Sequence, residues 1–170
     1  MSRLALISFH GCPLSSHGDL PLGGMQTYIR YQAKELAKLG MLVDIYTPSH
    51  DSSSPRISGM YRSVRLIHIP VSSLTPETEL DLDASAVFAS NVETFRANSG
   101  ILYSLIHSHY WSSGLVGAKL SSMWNVPHVT TFHTLGQSKL RMSPMVPGID
   151  KRIQAESRVS RSADIIVASS

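Results

Sequence analysis

Short apolar segments alternate along the chain with longer segments in which apolar residues recur every three or four positions. The short segments, each roughly five to eight residues long and bounded by polar or turn-forming residues, are typical of buried strands. They predict strands over Leu4 to Phe9, Leu42 to Thr47, Val64 to Ile69, Ile101 to His107, Val126 to His133 and Asp164 to Ala168.

The longer segments have the periodicity of helices that bury one face. They predict helices over Met25 to Leu39, Ala84 to Gly100, Ser112 or Ser113 to Trp124, and Ile149 to Ser162. The segments that end at Arg62 and that follow Thr134 are rich in Gly, Ser and Pro, and we expect loops there. Strands that alternate with helices predict an α/β fold with a parallel sheet and helices on both faces.

Composition narrows the class of protein without identifying it. The 170 residues fit one domain, and 15 basic against 12 acidic side chains, with no basic cluster, argue against nucleic acid. No apolar run reaches the ~18 residues of a membrane span. Cys12 is the single cysteine and no signal peptide is evident, which favours the cytoplasm. Because the sequence stops just after a strand, we expect it to be part of a longer protein.

Polar residues follow two of the predicted strands directly. His107-Ser108-His109-Tyr110 and His133-Thr134 come where these strands end, with Lys139 nearby. Because the carboxyl ends of parallel strands share one edge of a sheet, we expect a site there. His107 and His109 point to one face, but no third metal ligand is evident, so we predict no metal site; hydrogen-bonded core histidines are the alternative.

Two further features are weaker by themselves. Gly23 and Gly24 precede the first helix, where free backbone N–H groups favour phosphate, although a plain turn has the same pattern. Arg152 and Glu156 lie one helical turn apart, either as a surface pair or as a partly buried pair that aims the guanidinium inward. No Gly-x-Gly-x-x-Gly motif or phosphate-binding loop with Lys is present, which argues against a nicotinamide-dependent dehydrogenase.

These motifs, taken in order, resemble the amino-terminal domain of retaining GT-B glycosyltransferases of family 4. The nearest resemblance is to the branch of sucrose-phosphate synthases and the glycosyltransferase of mycothiol synthesis. The matching blocks are Gly23-Gly24-Met25 with its helix, Leu42 to Thr47, His107 to Gly114, Val126 to Lys139, and Arg152 to Glu156.

The resemblance implies a Rossmann-like domain that forms one half of a two-domain enzyme. Residues 1–170 would be the acceptor-side domain, and the donor-binding domain would be absent from this chain, leaving it inactive alone. The expected activity is transfer of a sugar from a nucleotide-sugar (UDP-, GDP- or ADP-linked) to a sugar, polyol or sugar-phosphate acceptor. The resemblance implies no covalently bound cofactor and no metal.

The resemblance also implies roles for individual residues. His133 would be catalytic, supporting the transferred sugar in the transition state, and Gly23 and Gly24 would face the donor diphosphate. Glu156 would orient Arg152. The acceptor would be bound by Gln26, His109, Tyr110, Thr134, Lys139 and Arg152.

The chain departs from the family pattern at two places that concern the acceptor. Relatives with phosphorylated acceptors tend to have a lysine in the loop after the third strand, whereas Val71 to Asp83 is acidic and contains none. Gln26 stands where an asparagine often follows Gly-Gly-Met. A neutral acceptor therefore remains an alternative, as does a binding module for sugar or phosphate that performs no chemistry.

Overall fold

The computed structural model describes residues 2–14, 23–49, 56–71, 82–143 and 147–168. Most of the acidic loop after the third predicted strand lies outside these residues. Within them, no helix combines the length and the apolar character that crossing a membrane requires.

The described residues form seven strands and five helices. The strands are β1 (Arg3–Ile7), β2 (Leu42–Ser49), β3 (Ile57–Tyr61), β4 (Val64–Pro70), β5 (Leu105–His109), β6 (His128–Thr131) and β7 (Ile165–Val167). The helices are α1 (Gly24–Lys38), α2 (Leu82–Asn98), α3 (Trp111–Trp124), α4 (Gly136–Met142) and α5 (Ile149–Ser162).

All seven strands belong to one sheet, in the order β3-β4-β2-β1-β5-β6-β7. Every pairing is parallel except that of the edge strand β3 with β4. The order reverses direction at β1, which pairs with β2 on one side and with β5 on the other. Ligands bind outside the carboxyl ends of strands at such a reversal in open α/β sheets.

Helices cover both faces of the sheet, as the sequence predicts. On one face, Ile29 and Ala33 of α1 pack on a cluster that includes Leu6 and Ile45. On the other face, Phe88 and Val92 of α2 and Val116 and Leu120 of α3 form an apolar cluster with the alternate residues of the strands. The predicted α/β fold is therefore confirmed.

Two predicted strands begin too early. Hydrogen-bonded pairing of β5 starts at Leu105, opposite Leu4, rather than at Ile101, because Tyr103 turns its ring into the core and Leu102 is exposed. β6 starts at His128, after Pro127, a residue that cannot donate a backbone hydrogen bond.

Two elements were predicted as loops. β3 pairs antiparallel at the edge of the sheet, and much of its length is exposed. Its residues therefore lack the apolar run by which the other strands were predicted. α4 is short and mostly exposed, with Gly136 as its one buried residue. In addition, α3 begins at Trp111 with Tyr110 as its N-cap, so the prediction of a Ser112 or Ser113 cap was wrong.

Candidate functional site

The carboxyl ends of β5 and β6 lie side by side, next to the reversal of strand order at β1. His109 is the last residue of β5 and pairs with Thr131, the last residue of β6. One residue later, the backbone N–H of Tyr110 donates to the carbonyl of Thr131 at 2.8 Å. This pairing brings the two polar motifs of the sequence together at one edge.

The backbone is strained at both motifs. His133 has a φ of 61°, and Tyr110 has a φ of 78°. The N–H of Thr134 donates to the carbonyl of Phe132 at 2.7 Å, so His133 is the central residue of a tight three-residue turn. Positive φ is unfavourable for residues other than glycine, and such strain persists where the surroundings enforce it, often at functional sites.

Three imidazoles form a row along this edge, which we call the histidine row: His107, His109 and His133. The rings of His107 and His109 stack with centroids 4.5 Å apart, and Nδ1 of His109 lies 3.1 Å from Nε2 of His133. Tyr28 of α1 packs edge-on against both His109 and His133. The row therefore joins the sheet to the first turns of α1.

Burial keeps the histidine row neutral. Burial, with smaller effects from His128 and His133, lowers the pKa of His107 to about 4. It lowers the pKa of fully buried His109 well below the ordinary value and also lowers the pKa of half-buried His133. At neutral pH each ring therefore carries one N–H and can donate one hydrogen bond.

A second group, which we call the arginine cluster, consists of Tyr110, Thr134, Arg152 and Glu156. The guanidinium of Arg152, whose residue is 4% exposed, donates to the Tyr110 hydroxyl at 2.9 Å and to the Thr134 hydroxyl at 3.0 Å. It also donates to the Thr134 carbonyl at 2.6 Å. Since a guanidinium only donates, both hydroxyls accept here and keep their own protons for another partner.

Glu156 holds Arg152 in this orientation. Its Oε1 accepts from Nε of Arg152 at 2.7 Å, and its two oxygens also accept from the backbone N–H of Gly136 at 3.0 and 2.9 Å. A carboxylate at the first N–H groups of α4 suits that helix end. The ion pair therefore connects α5 to the start of α4. The sequence allowed either a surface pair or a partly buried pair for Arg152 and Glu156, and the structure has the buried pair.

A cavity of about 660 Å³ opens beside both groups. Its walls are the segment after β6, one side of α4 and the end of β7. Its polar lining includes His133, Thr134 and Lys139; its apolar lining includes Phe132, Leu135 and Ile166. Arg152 lies behind this wall, and Thr134, one of its two hydroxyl partners, lines the cavity.

The start of α1 lies at the same edge. Gly23 is its N-cap, no side chain caps the helix, and a Cβ built on Gly24 meets nothing within 4 Å. The Gln26 side chain folds back over Gly23, with Oε1 2.5 Å from the Cβ that a larger residue would have there. Because Tyr28 touches His133, the open helix start lies one turn from the histidine row.

The structure thus gathers the residues that the sequence singled out. His109, Tyr110, His133, Thr134, Arg152 and Glu156 are linked to one another by hydrogen bonds or by adjacency in the chain. Lys139 shares the cavity wall with His133 and Thr134, and Gly23, Gly24 and Gln26 lie at the neighbouring helix start. Their predicted roles stay predictions. His109 is fully buried, so its geometry favours an action through His133 over direct contact with an acceptor.

Sequence reasoning missed three contributors. Tyr28, on the predicted first helix, faces the histidine row, and Gln32, one turn later, contacts His107 at 3.0 Å. Gly24, Tyr28 and Gln32 follow one another at intervals of four residues, and this spacing is the signal that places them on one face of α1. Gly136 supplies the N–H that Glu156 binds. Among the described residues, no group of three or more His, Cys, Asp or Glu side chains is arranged to hold a metal ion.

The parallel sheet, its reversal point and the site at the carboxyl edge define one half of a GT-B glycosyltransferase fold. A family model described as "Glycosyl transferase 4-like domain" matches residues 23–170. The chain belongs to this family, which confirms the resemblance read from its motifs.

Similar proteins agree with this assignment. The chain is 44% identical over 140 residues to the D-inositol 3-phosphate glycosyltransferase of Corynebacterium kroppenstedtii, a match covering 81% of this chain and 31% of that protein. It is 37% identical over 169 residues to the protein of that name from Corynebacterium glutamicum, covering 96% of this chain and 40% of the other. The chain thus spans well under half the length of these relatives.

A solved structure shows the same fold. Sucrose-phosphate synthase from Thermosynechococcus elongatus superimposes with a TM-score of 0.86 at 27% identity, covering all of this chain and 43% of the other. The similarity therefore extends from individual motifs to the arrangement of the whole sheet and its helices.

Proposed function

We propose that this chain is the acceptor-side domain of a retaining glycosyltransferase, which transfers a sugar from a nucleotide-sugar to a phosphorylated polyol or sugar. The observation that carries the proposal is the arginine cluster at the carboxyl edge, beside His133 and the cavity. The names of the relatives, inositol-phosphate glycosyltransferases, support the same class of acceptor.

The chemistry of the arginine cluster favours an oxyanion. The hydroxyls of Tyr110 and Thr134 accept from Arg152, so each can donate its own proton to a ligand. Lys139 adds an exposed ammonium on the cavity wall. A phosphate has acceptor oxygens only, whereas a neutral polyol would have to match its own donors to this set. The cluster can therefore replace the lysine that the loop before Asp83 lacks.

His133 and the start of α1 supply the donor side of the proposal. His133 would donate to an oxygen of the transferred sugar, and the open N–H groups after Gly23 would approach the donor diphosphate. Catalysis would come from holding the two substrates together and from stabilising charge as the bond to the diphosphate breaks. A donor-binding domain, as in GT-B enzymes, would complete the cleft, and we propose that these 170 residues alone do not transfer sugar.

Removing single hydroxyls tests the acceptor site. In an enzyme that includes a donor-binding domain, Tyr110→Phe and Thr134→Val should each raise KM for inositol phosphate about tenfold, because one hydrogen bond to a charged group is lost. Tyr103→Phe is the matched control, since that hydroxyl is bonded to Asp44, away from the site. Equal KM values for Tyr110→Phe and the unaltered enzyme would contradict the acceptor assignment.

The alternative of a binding module without chemistry is distinguishable by calorimetry. If these residues act alone, inositol phosphate should bind the isolated chain, Tyr110→Phe should weaken that binding, and no sugar should be transferred even when a donor-binding domain is supplied. Transfer that depends on such a domain supports the glycosyltransferase instead.

A further inference from the structure

A buried hydrogen bond links His133 to a second imidazole that cannot reach solvent. Nδ1 of His109 lies 3.1 Å from Nε2 of His133, and His109 is 0% exposed. Within the described part of the chain, Nε2 of His109 has no hydrogen-bond partner. The contact with His133 is therefore the one polar interaction made by the His109 ring there.

The ring of His109 has little freedom to move. His107 stacks on it, and Tyr28 packs against its edge. His107 is itself held between Gln32, at 3.0 Å from Nδ1, and Thr131, at 2.9 Å from Nε2. Packing on two sides thus fixes the direction in which Nδ1 of His109 points.

The burial of His109 decides which nitrogen carries its proton. Burial holds its pKa well below the ordinary value, so the ring is neutral and has a single N–H. A proton on Nε2 would be a buried donor without a partner, whereas a proton on Nδ1 leaves an unpaired acceptor. Buried donors without partners are the rarer of the two in folded proteins. The proton therefore belongs on Nδ1, facing His133.

We infer that His109 is a positioning residue that donates from Nδ1 to Nε2 of His133 and thereby fixes His133 in the tautomer with its proton on Nδ1. His133 lines the cavity, and its backbone is held at positive φ by the turn between Phe132 and Thr134. Backbone and ring are thus both fixed, and the ring nitrogen that can donate is Nδ1. The use of that donor in sugar transfer rests on the proposed function, whereas the tautomer itself does not depend on it.

Nuclear magnetic resonance of the chain labelled with ¹⁵N at histidine tests the tautomer directly. Long-range proton–nitrogen correlations, assigned with the help of His133→Ala, should show the His133 proton on Nδ1 and an accepting Nε2. In His109→Leu the His133 ring should shift to the Nε2–H form, which an imidazole favours in water. His128→Gln is the matched control: it removes a fully buried imidazole that bonds to Ser108 and not to His109 or His133, and the tautomer should persist.

Two results would overturn the inference: a His133 proton on Nε2 in the unaltered chain, or the same tautomer with and without His109. The first measurement needs no variant. If His109→Leu fails to fold by circular dichroism, His109→Gln replaces it, because its amide occupies the place of Nε2 and leaves the Nδ1 position empty.

An activity measurement separates this inference from the proposed function. In the enzyme with its donor-binding domain, His109→Leu should lower kcat about tenfold, as for other groups that orient a functional imidazole, with little change in either KM. An unchanged kcat in the folded variant would overturn the positioning role. An enzyme that transfers no sugar at all would refute the proposed function and leave the resonance result standing.

Discussion

The sheet buries a charged group towards each of its ends, and the two are built differently. Towards the amino end, Asp44 accepts from Arg3, from Tyr103 and, through both oxygens, from Arg65, at 2.7 to 2.9 Å. Tyr46 bonds to Tyr103 at 2.6 Å and completes the network. At the carboxyl edge, Arg152 is equally buried, but its hydroxyl partners keep protons to donate.

The contrast extends to the backbone and to unpaired atoms. Tyr110 and His133, both at the carboxyl edge, have positive φ. Among the described residues, the other non-glycine residues with positive φ are Ser63, in a turn, and Asn125, at the end of a helix. His109 Nε2 lacks a partner in the described residues, whereas both Asp44 oxygens are bonded. We read the amino end as a closed structural network and the carboxyl edge as a site arranged for a ligand.

The largest expected effect separates catalysis from stability. His133→Ala should lower kcat of the enzyme with its donor-binding domain by about 10²–10³-fold, the size of loss seen when one stabilising donor is removed from a transition state. Its free energy of unfolding should fall by only about 1–2 kcal/mol, because the ring is partly exposed and the backbone turn remains, although buried His109 loses its one polar partner. Steady-state kinetics and urea denaturation measure the two, and a fully active variant would contradict the role of His133.

The pH dependence of stability should report on the histidine row. The pKa of His107 is about 4 in the folded chain and 6.5 in the unfolded one, so the unfolded state binds the proton first as the pH falls. The contribution of neutral His107 to the free energy of unfolding is therefore full above pH 6.5 and is lost as the pH falls from 6.5 to 4, a change of about 3 kcal/mol. Urea denaturation across this range should show the loss, and His107→Gln should make it smaller.

Asp44→Asn should affect the other end of the sheet. Removing the charge leaves Arg3 and Arg65 without their partner, which should cost about 2–3 kcal/mol at pH 7, less than for a fully buried pair because both arginines reach solvent. Although burial opposes it, hydrogen bonding to Arg65, Tyr103 and Arg3 lowers the pKa of Asp44 below 3.8. Its contribution is therefore present above pH 3.8 and is lost as the pH falls further, so the difference between variant and parent should shrink only there.

That acidic window lies below the one for the buried histidines, so urea denaturation of parent and variants at stepped pH can separate the contribution of Asp44 from that of the histidines. Activity per folded molecule should be unchanged in Asp44→Asn. A large loss of kcat in that variant would contradict the purely structural reading of the amino end.

The smallest effects distinguish two glycines at the carboxyl edge. A Cβ on Gly136 would lie 2.9 Å from Ile153 and 3.3 Å from Glu156, so Gly136→Ala should cost about 1–2 kcal/mol. Gly24→Ala meets nothing and should change the unfolding free energy by less than about 0.5 kcal/mol. If Gly24 adjoins the donor diphosphate, Gly24→Ala should nevertheless raise KM for the nucleotide-sugar; an unchanged KM would argue against that placement.

Much of the fold was predictable because its signals are local. The helical spacing of Ile29 and Ala33 and the apolar run of β2 follow from which faces must be buried, and both predictions are confirmed. β3 and α4 were missed because their residues are largely exposed, so their pairing and packing leave little trace in the pattern. The start of β5 depends on its pairing with β1, which is a long-range contact.

The sequence by itself determined the α/β class, the presence of histidines and hydroxyls at two strand ends, and the Arg152–Glu156 spacing of one helical turn, since periodicity and covalent order are local properties. The tertiary structure decided that Arg152 reaches Tyr110 and Thr134, that Tyr28 faces the histidine row, and that His109 is buried against His133. Those contacts join residues 18 to 105 positions apart and depend on how strands and helices pack. Hydrogen-bond direction and burial are fixed only when the sheet is assembled.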